Sequence, residues 1–184
     1  MSSRSLFYPL AVPEIEFPDS HFLAAAVGWM ELNNRAEAKL ELQRISPAAR
    51  MHPDVLELSV IIHSEDKDWP ESLNAARKLI DTAPERAMGW LQQAYALRRV
   101  QGGGLQAAWD ALLPAVERFP KEANIPYNLA CYACQMGKLN EAEEWLRRAF
   151  KVGRKHVIKS MALSDDDLKP LWTTVAAWDL RALS

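Results

Sequence analysis

The sequence predicts an all-α fold of four tandem helix-turn-helix units, and three observations carry that prediction. Small residues recur at a near-constant interval: Ala38, Ser72, Ala108 and Ala142 stand 34, 36 and 34 residues apart, the spacing of a helical repeat. Around them apolar residues follow helical periodicity, and no segment alternates as a half-buried strand would. The one interval that is two residues too long contains Gly102-Gly103-Gly104, a loop composition that tolerates insertion.

The most regular unit lies at residues 121–152. Its first helix carries Tyr127, Leu129, Ala130 and Ala133 at helical spacing, and its second carries Leu139, Ala142, Trp145, Leu146 and Ala149. Gly137 stands between them, where a helix end favours a residue free to take positive φ. Such a hairpin cannot bury its own apolar stripe, so the preceding units must supply neighbours. In the first helices Ala26, Val60, Ala94 and Ala130 recur at 34, 34 and 36 residues. In the second helices Leu42, Ala76, Leu112 and Leu146 follow four residues after the small position, then Ile45, Leu79, Ala115 and Ala149 three later.

The expected elements follow in order. Unit one spans about 20–33 and 35–46, turning at Asn33-Asn34. Unit two spans about 53–64 and 69–82, entered at Pro53, a residue suited to the first helical turn. Unit three spans about 85–101 and 104–118, with Pro84 and Pro120 at its boundaries. Residues 1–19 carry Pro9, Pro13 and Pro18 among Phe7, Tyr8, Ile15 and Phe17. This excludes a regular helix and leaves either an extended arm on the body or an unstructured tail. Residues 153–184 begin with a short helix around Val157, Ile158, Met161 and Leu163. A turn capped by Ser164 or one of Asp165, Asp166 and Asp167 follows. Leu168, Leu171, Trp172, Val175, Ala176 and Trp178 then form an apolar face suited to capping the array.

These residues resemble the tetratricopeptide-repeat family, whose unit is a 34-residue helix-turn-helix. Leu129-Ala130, Gly137, Ala142, Leu146 and Ala149 carry the likeness in unit four; Trp90, Ala94, Ala108, Leu112, Ala115 and Pro120 carry it in unit three. Unit one lacks the glycine and has Arg50 where the closing proline would stand. Unit two has Val60 and Ser72 at its small positions and His63 in place of an aromatic. The resemblance covers about residues 20–152 and implies a right-handed α-solenoid with 153–184 as its cap.

Composition excludes several function classes. A net charge of -2 gives no global attraction to nucleic acid or anionic membrane. No apolar run approaches the roughly 18 to 20 residues of a membrane span, and prolines and glutamates interrupt any signal-peptide core at the start. Two cysteines argue against a disulfide-stapled secreted fold, leaving a cytoplasmic location as the expectation. Cys131 and Cys134 form a CxxC spacing, but mid-helix rather than at a helix start after a strand. A zinc site would need two further ligands, which His156 alone does not supply. Packing or groove lining is the favoured role, with no catalytic residue, metal or cofactor expected. The triple glycine lacks the Lys-Ser/Thr of a phosphate loop. Arg147, Arg148, Lys151, Arg154, Lys155 and Lys159, flanked by glutamates, fit either a solvated, ion-paired helix face or a site for an acidic partner.

The expected function is non-catalytic binding of a partner peptide or helix. The resemblance implies a concave groove lined by the first helices. Unit two would contribute Asp54, Glu57, Leu58 and Ile61; unit three Met88, Leu91, Gln92, Tyr95, Arg98 and Arg99; unit four Asn124, Tyr127, Asn128, Cys131 and Gln135. Leu23, Ala24, Val27 and Met30 of unit one would be apolar and covered by the N-terminal arm. Leu91 and Tyr95 stand where a family subclass that clamps a terminal carboxylate has lysine and asparagine, which argues against that clamp. The alternative is a self-associating scaffold subunit, packing through Trp172, Trp178 or the arm.

Overall fold

Short helices stacked in pairs make up the chain, seen in a computed structural model that describes residues 14–179. In order these are α1 (Asp19–Glu31), α2 (Arg35–Arg44), α3 (Pro53–Glu65), α4 (Trp69–Thr82), α5 (Ala87–Leu97), α6 (Leu105–Leu112), α7 (Ala115–Arg118), α8 (Asn124–Gln135) and α9 (Leu139–Val152). After them come α10 (Lys155–Ser164), a 3₁₀ turn (Asp166–Leu171) and α11 (Trp172–Ala176). Among the described residues regular structure is helical throughout, as the periodicity predicts.

The two small-residue columns mark the helix crossings. Ala26, Val60, Ala94 and Ala130 are all 0% exposed, and so are Ala38, Ser72, Ala108 and Ala142. Backbones approach closely where side chains are short, and larger neighbours interdigitate around them. Ile45, Leu79, Ala115 and Ala149 are equally inaccessible. The one polar member, Ser72, meets the Ser64 hydroxyl at 2.8 Å, and that hydroxyl reaches Gln92 Oε1 at 3.3 Å. A buried hydroxyl is thereby satisfied, and units two and three are linked.

Each hairpin turns through a left-handed residue: Asn33 (φ 55°), Lys67 (φ 59°), Gly102 (φ 78°) and Gly137 (φ 77°). In units one, two and four the same bond closes the helix end, from Asn34 N to Trp29 O, Asp68 N to His63 O and Lys138 N to Ala133 O. This six-to-one bond satisfies a carbonyl that the helix leaves open. Asn33 thus does in unit one what Gly137 does in unit four. In unit three the bond runs from Gly104 N to Leu97 O, two residues longer, so the insertion is absorbed without breaking the closure. Gly103 lies so near that a Cβ there would sit 1.9 Å from the Leu97 carbonyl oxygen.

One expected element is corrected. The helix read over 104–118 is interrupted at Leu113–Pro114, giving α6 and α7. Proline lacks an N–H, and its ring crowds the carbonyl one turn earlier. In the segment after α9, Ile158 and Ala162 face inward while Val157 and Met161 are exposed; Leu168, Leu171 and Val175 are buried. Asp165 caps the 3₁₀ turn by accepting from Asp167 N at 3.0 Å. Most of the proline-rich segment, residues 1–13, lies outside the described residues; Glu14 and Ile15 line a hollow beside Leu23, Ala24 and Val27 of α1.

Replacing Ala142 by leucine forces volume into a fully closed crossing. A loss of about 1–3 kcal/mol is expected, read as a lowered midpoint in thermal unfolding by circular dichroism.

Candidate functional site

The face presented by α1, α3, α5 and α8 divides into two parts. Over the first three units it stays open. A hollow of about 570 Å³ is lined by Leu23, Ala24 and Val27 of α1, His52 and Asp54 at the start of α3, and Arg86 before α5. Arg86 spans the units, bonding Asp54 at 2.6 Å and Glu57 at 3.2 Å. Of the expected contact residues here, Leu58 is buried, Ile61, Met88 and Leu91 are half-buried, and Gln92 accepts from Ser64.

Further along, Tyr95 is exposed and Arg99 stacks on it, with its guanidinium carbon 3.5 Å from the ring centroid. The same guanidinium lies 5.3 Å from the Trp69 ring centroid, and the two rings meet edge to face at 5.8 Å. A bond from Arg99 to the Tyr95 carbonyl at 2.9 Å holds the stack in place. This is an amphipathic cluster in which Tyr95 is exposed and Trp69 and Arg99 are half-buried.

Over unit four the face is closed by the chain itself. The acidic turn after α10 lies against α8, and one row of α8 residues, Tyr127, Cys131 and Gln135 at four-residue spacing, meets it. The Tyr127 hydroxyl donates to Asp165 Oδ2 at 3.0 Å, and the Cys131 thiol reaches the same oxygen at 3.6 Å. Gln135 Nε2 donates to the Asp167 carbonyl at 3.0 Å. From α5's end Arg98 grips both carboxylate oxygens of Asp167, one of them at 2.8 Å. Bidentate pairing of this kind adds orientation to strength, and the bond to Asp167 raises the Arg98 pKa above its ordinary value. Asn124 is exposed, and Asn128 donates back to its carbonyl at 2.8 Å.

Tyr127 and Cys131 are therefore buried rather than presented. Burial, reinforced by the two aspartates, drives both their pKa values far up, and burial also raises that of Cys134. The thiols stay protonated, the opposite of the lowered pKa that a redox cysteine needs. Cys131 Sγ and oxygens of Asp165 and Asp167 lie within 4.8 Å of one another, a grouping that could ligate a cation. Arg98 already supplies the positive charge there.

The basic run is engaged within the chain at several positions. Arg147 pairs with Glu143 at 2.7 Å, Arg148 with Glu117 at 3.7 Å, and Lys159 donates to the Ala176 and Trp178 carbonyls. The C-terminal tryptophans are committed as well. Trp172 Nε1 donates to the Asp165 carbonyl, while Trp178 packs on Phe150 and under Arg147. Sequence reasoning missed the acidic turn as part of this face. Its one visible signal, three consecutive aspartates, also fits an ordinary helix cap.

Comparison with known proteins agrees with this architecture. A family profile described as tetratricopeptide repeat matches residues 127–157, from the middle of α8 into α10. Its fourth hairpin is thus similar to a tetratricopeptide repeat. Among solved structures the chain is similar to TTC0263, a thermophilic TPR protein of Thermus thermophilus, at 16% identity and a TM-score of 0.63. That match covers 87% of this chain and 100% of the other. No curated protein sequence matches. Among the described residues, no helix is long and apolar enough to cross a membrane.

Because both thiols are buried and protonated, a disulfide-exchange reagent in mildly alkaline buffer is expected to leave them unmodified in the folded protein. Both should react once concentrated guanidinium unfolds it. Rapid native-state labelling of Cys131 would contradict the assignment.

Proposed function

We propose that this protein is a non-catalytic interaction module that takes a segment of a partner protein along the open first-helix face of units one to three. The observation that carries this reading is the Trp69–Tyr95–Arg99 stack, an aromatic and cationic anchor in which Tyr95 is exposed on that face and is backed by half-buried Arg99 and by Trp69 of α4. Stacked aromatic and arginine side chains lose little freedom on binding and dominate interface energetics. Next to the anchor run half-buried apolar positions, Ile61, Met88 and Leu91. Charged groups line the far end at Asp54, Glu57 and Arg86. Such a strip suits an extended or helical peptide with apolar anchors and acidic residues towards Arg99.

Tyr95 and Arg99 are the first positions to test, ahead of the expected groove residues Tyr127 and Asn128. Tyr127 is covered by the turn, and the Asn128 amide is engaged with its own helix. Trp172 and Trp178, the basis of the self-association alternative, are occupied within the chain.

Partners captured from the native source by the intact chain should be lost, or bound at least about tenfold more weakly, by a Tyr95→Ala/Arg99→Ala variant of unchanged helicity. Capture of the same partners at undiminished affinity would overturn the assignment of this face.

A further inference from the structure

We infer that the acidic turn Asp165–Leu168 occupies, within the chain, a site for acidic peptide segments: two carboxylates two positions apart, followed by a leucine. A partner segment of that pattern binds there in exchange for the turn. The inference rests on the proposed function, since it extends the same face into unit four and names the chemistry its partner needs there.

The contacts are those of a seated peptide. They come from one row of α8 and from Arg98, and they read both side chains and backbone. Asp165 is recognised by the Tyr127 hydroxyl and the Cys131 thiol, Asp167 by the Arg98 fork, and the Asp167 carbonyl by Gln135. Leu168 is then wholly inaccessible. Positions i, i+2 and i+3 of the occupant are thus specified, while Asp166 between them faces solvent.

Exchange is physically reasonable for two reasons. Carboxylate oxygens of Asp165 and Asp167 lie within 4.8 Å of one another, so two like charges repel each other there, and the Arg98 guanidinium pairs with Asp167. The turn also follows the last regular unit, so its exchange leaves the order of the hairpins unchanged, and a partner's leucine refills the place of Leu168 in the core cluster that holds Ala130 and Ala142. Beside it a cleft of about 490 Å³, lined by Arg98, Arg99, Met161 and the three aspartates, gives an incoming chain room to approach. Arg99 joins this cleft to the open face, so one bound segment can run across both.

The test uses a fluorescent synthetic peptide with the sequence of residues 163–174 and the full-length chain. An Asp165→Asn/Asp167→Asn variant, weakened in its internal contact, is expected to bind the peptide at least about tenfold more tightly than the unaltered chain. Adding Arg98→Gln should abolish that gain, and a peptide with both aspartates changed to asparagine should bind neither protein. Equal binding by the variant and the unaltered chain, or binding indifferent to Arg98, overturns the inference. Should the variant lose helicity, hydrogen exchange on the unaltered chain decides: excess peptide is expected to speed exchange of the Leu168, Lys169 and Leu171 amides but not of α9. Unchanged protection overturns the proposal. Partner capture that still depends on Tyr95 and Arg99 alongside a failed peptide experiment removes this inference alone.

Discussion

Close backbone approach at eight small or short positions is the constraint on which the rest of this molecule depends. None of the helices α1–α11 exceeds 14 residues, and helices this short are marginal in water by themselves. They persist because each crossing places Ala26, Val60, Ala94 or Ala130 beside a neighbouring short residue, with no accessible surface left. The larger side chains gain their burial only because those contacts are close. The charged and polar links, such as Arg86 to Asp54 and Glu57 or Ser64 to Gln92, set the register between units that packing has already joined.

The repeat was legible in the sequence because it is a matter of local periodicity. Every member of the two small columns is buried as the spacing predicts, including Val60 and Ser72, where the residue type departs from alanine. Turn conformation was legible at Gly137 and hidden at Lys67. Nothing about lysine advertises positive φ, and the hairpin geometry imposes it. The break at Pro114 was readable from proline's missing N–H, but a strong flanking apolar pattern argued for continuity. Closure of unit four's face could not be seen at all. The bonds responsible join Arg98 to Asp167, 69 residues apart, and Tyr127 to Asp165, 38 apart. The same aspartates satisfy a local capping rule, and Asp165 does cap its turn. A residue that fits one role locally gives no sign of a second role at a distance.

That second role reshapes the picture of the surface. Residues chosen as contacts because they fall on first helices belong to two populations. Tyr95 stands in the open, and half-buried Arg99 stacks on it. Tyr127, Cys131 and Gln135 are already bonded to a segment of this chain. Cys131, one half of the cysteine pair that is the one pattern in the sequence suggestive of redox chemistry, lies in the second population. Its protonated thiol serves as packing and as a weak donor to a carboxylate.

The way the array is closed also bears on how it could be lengthened. The turn does not merely cover an exposed helix; it takes Arg98 from the third unit and Tyr127, Cys131 and Gln135 from the fourth. An extra repeat spliced in after Val152 would separate the closing segment from both sets of partners. Grafting would succeed only if the new unit reproduced the α8 row and the unit before it supplied an arginine in register. The closing turn is thus matched to a specific pair of neighbouring units through four side chains.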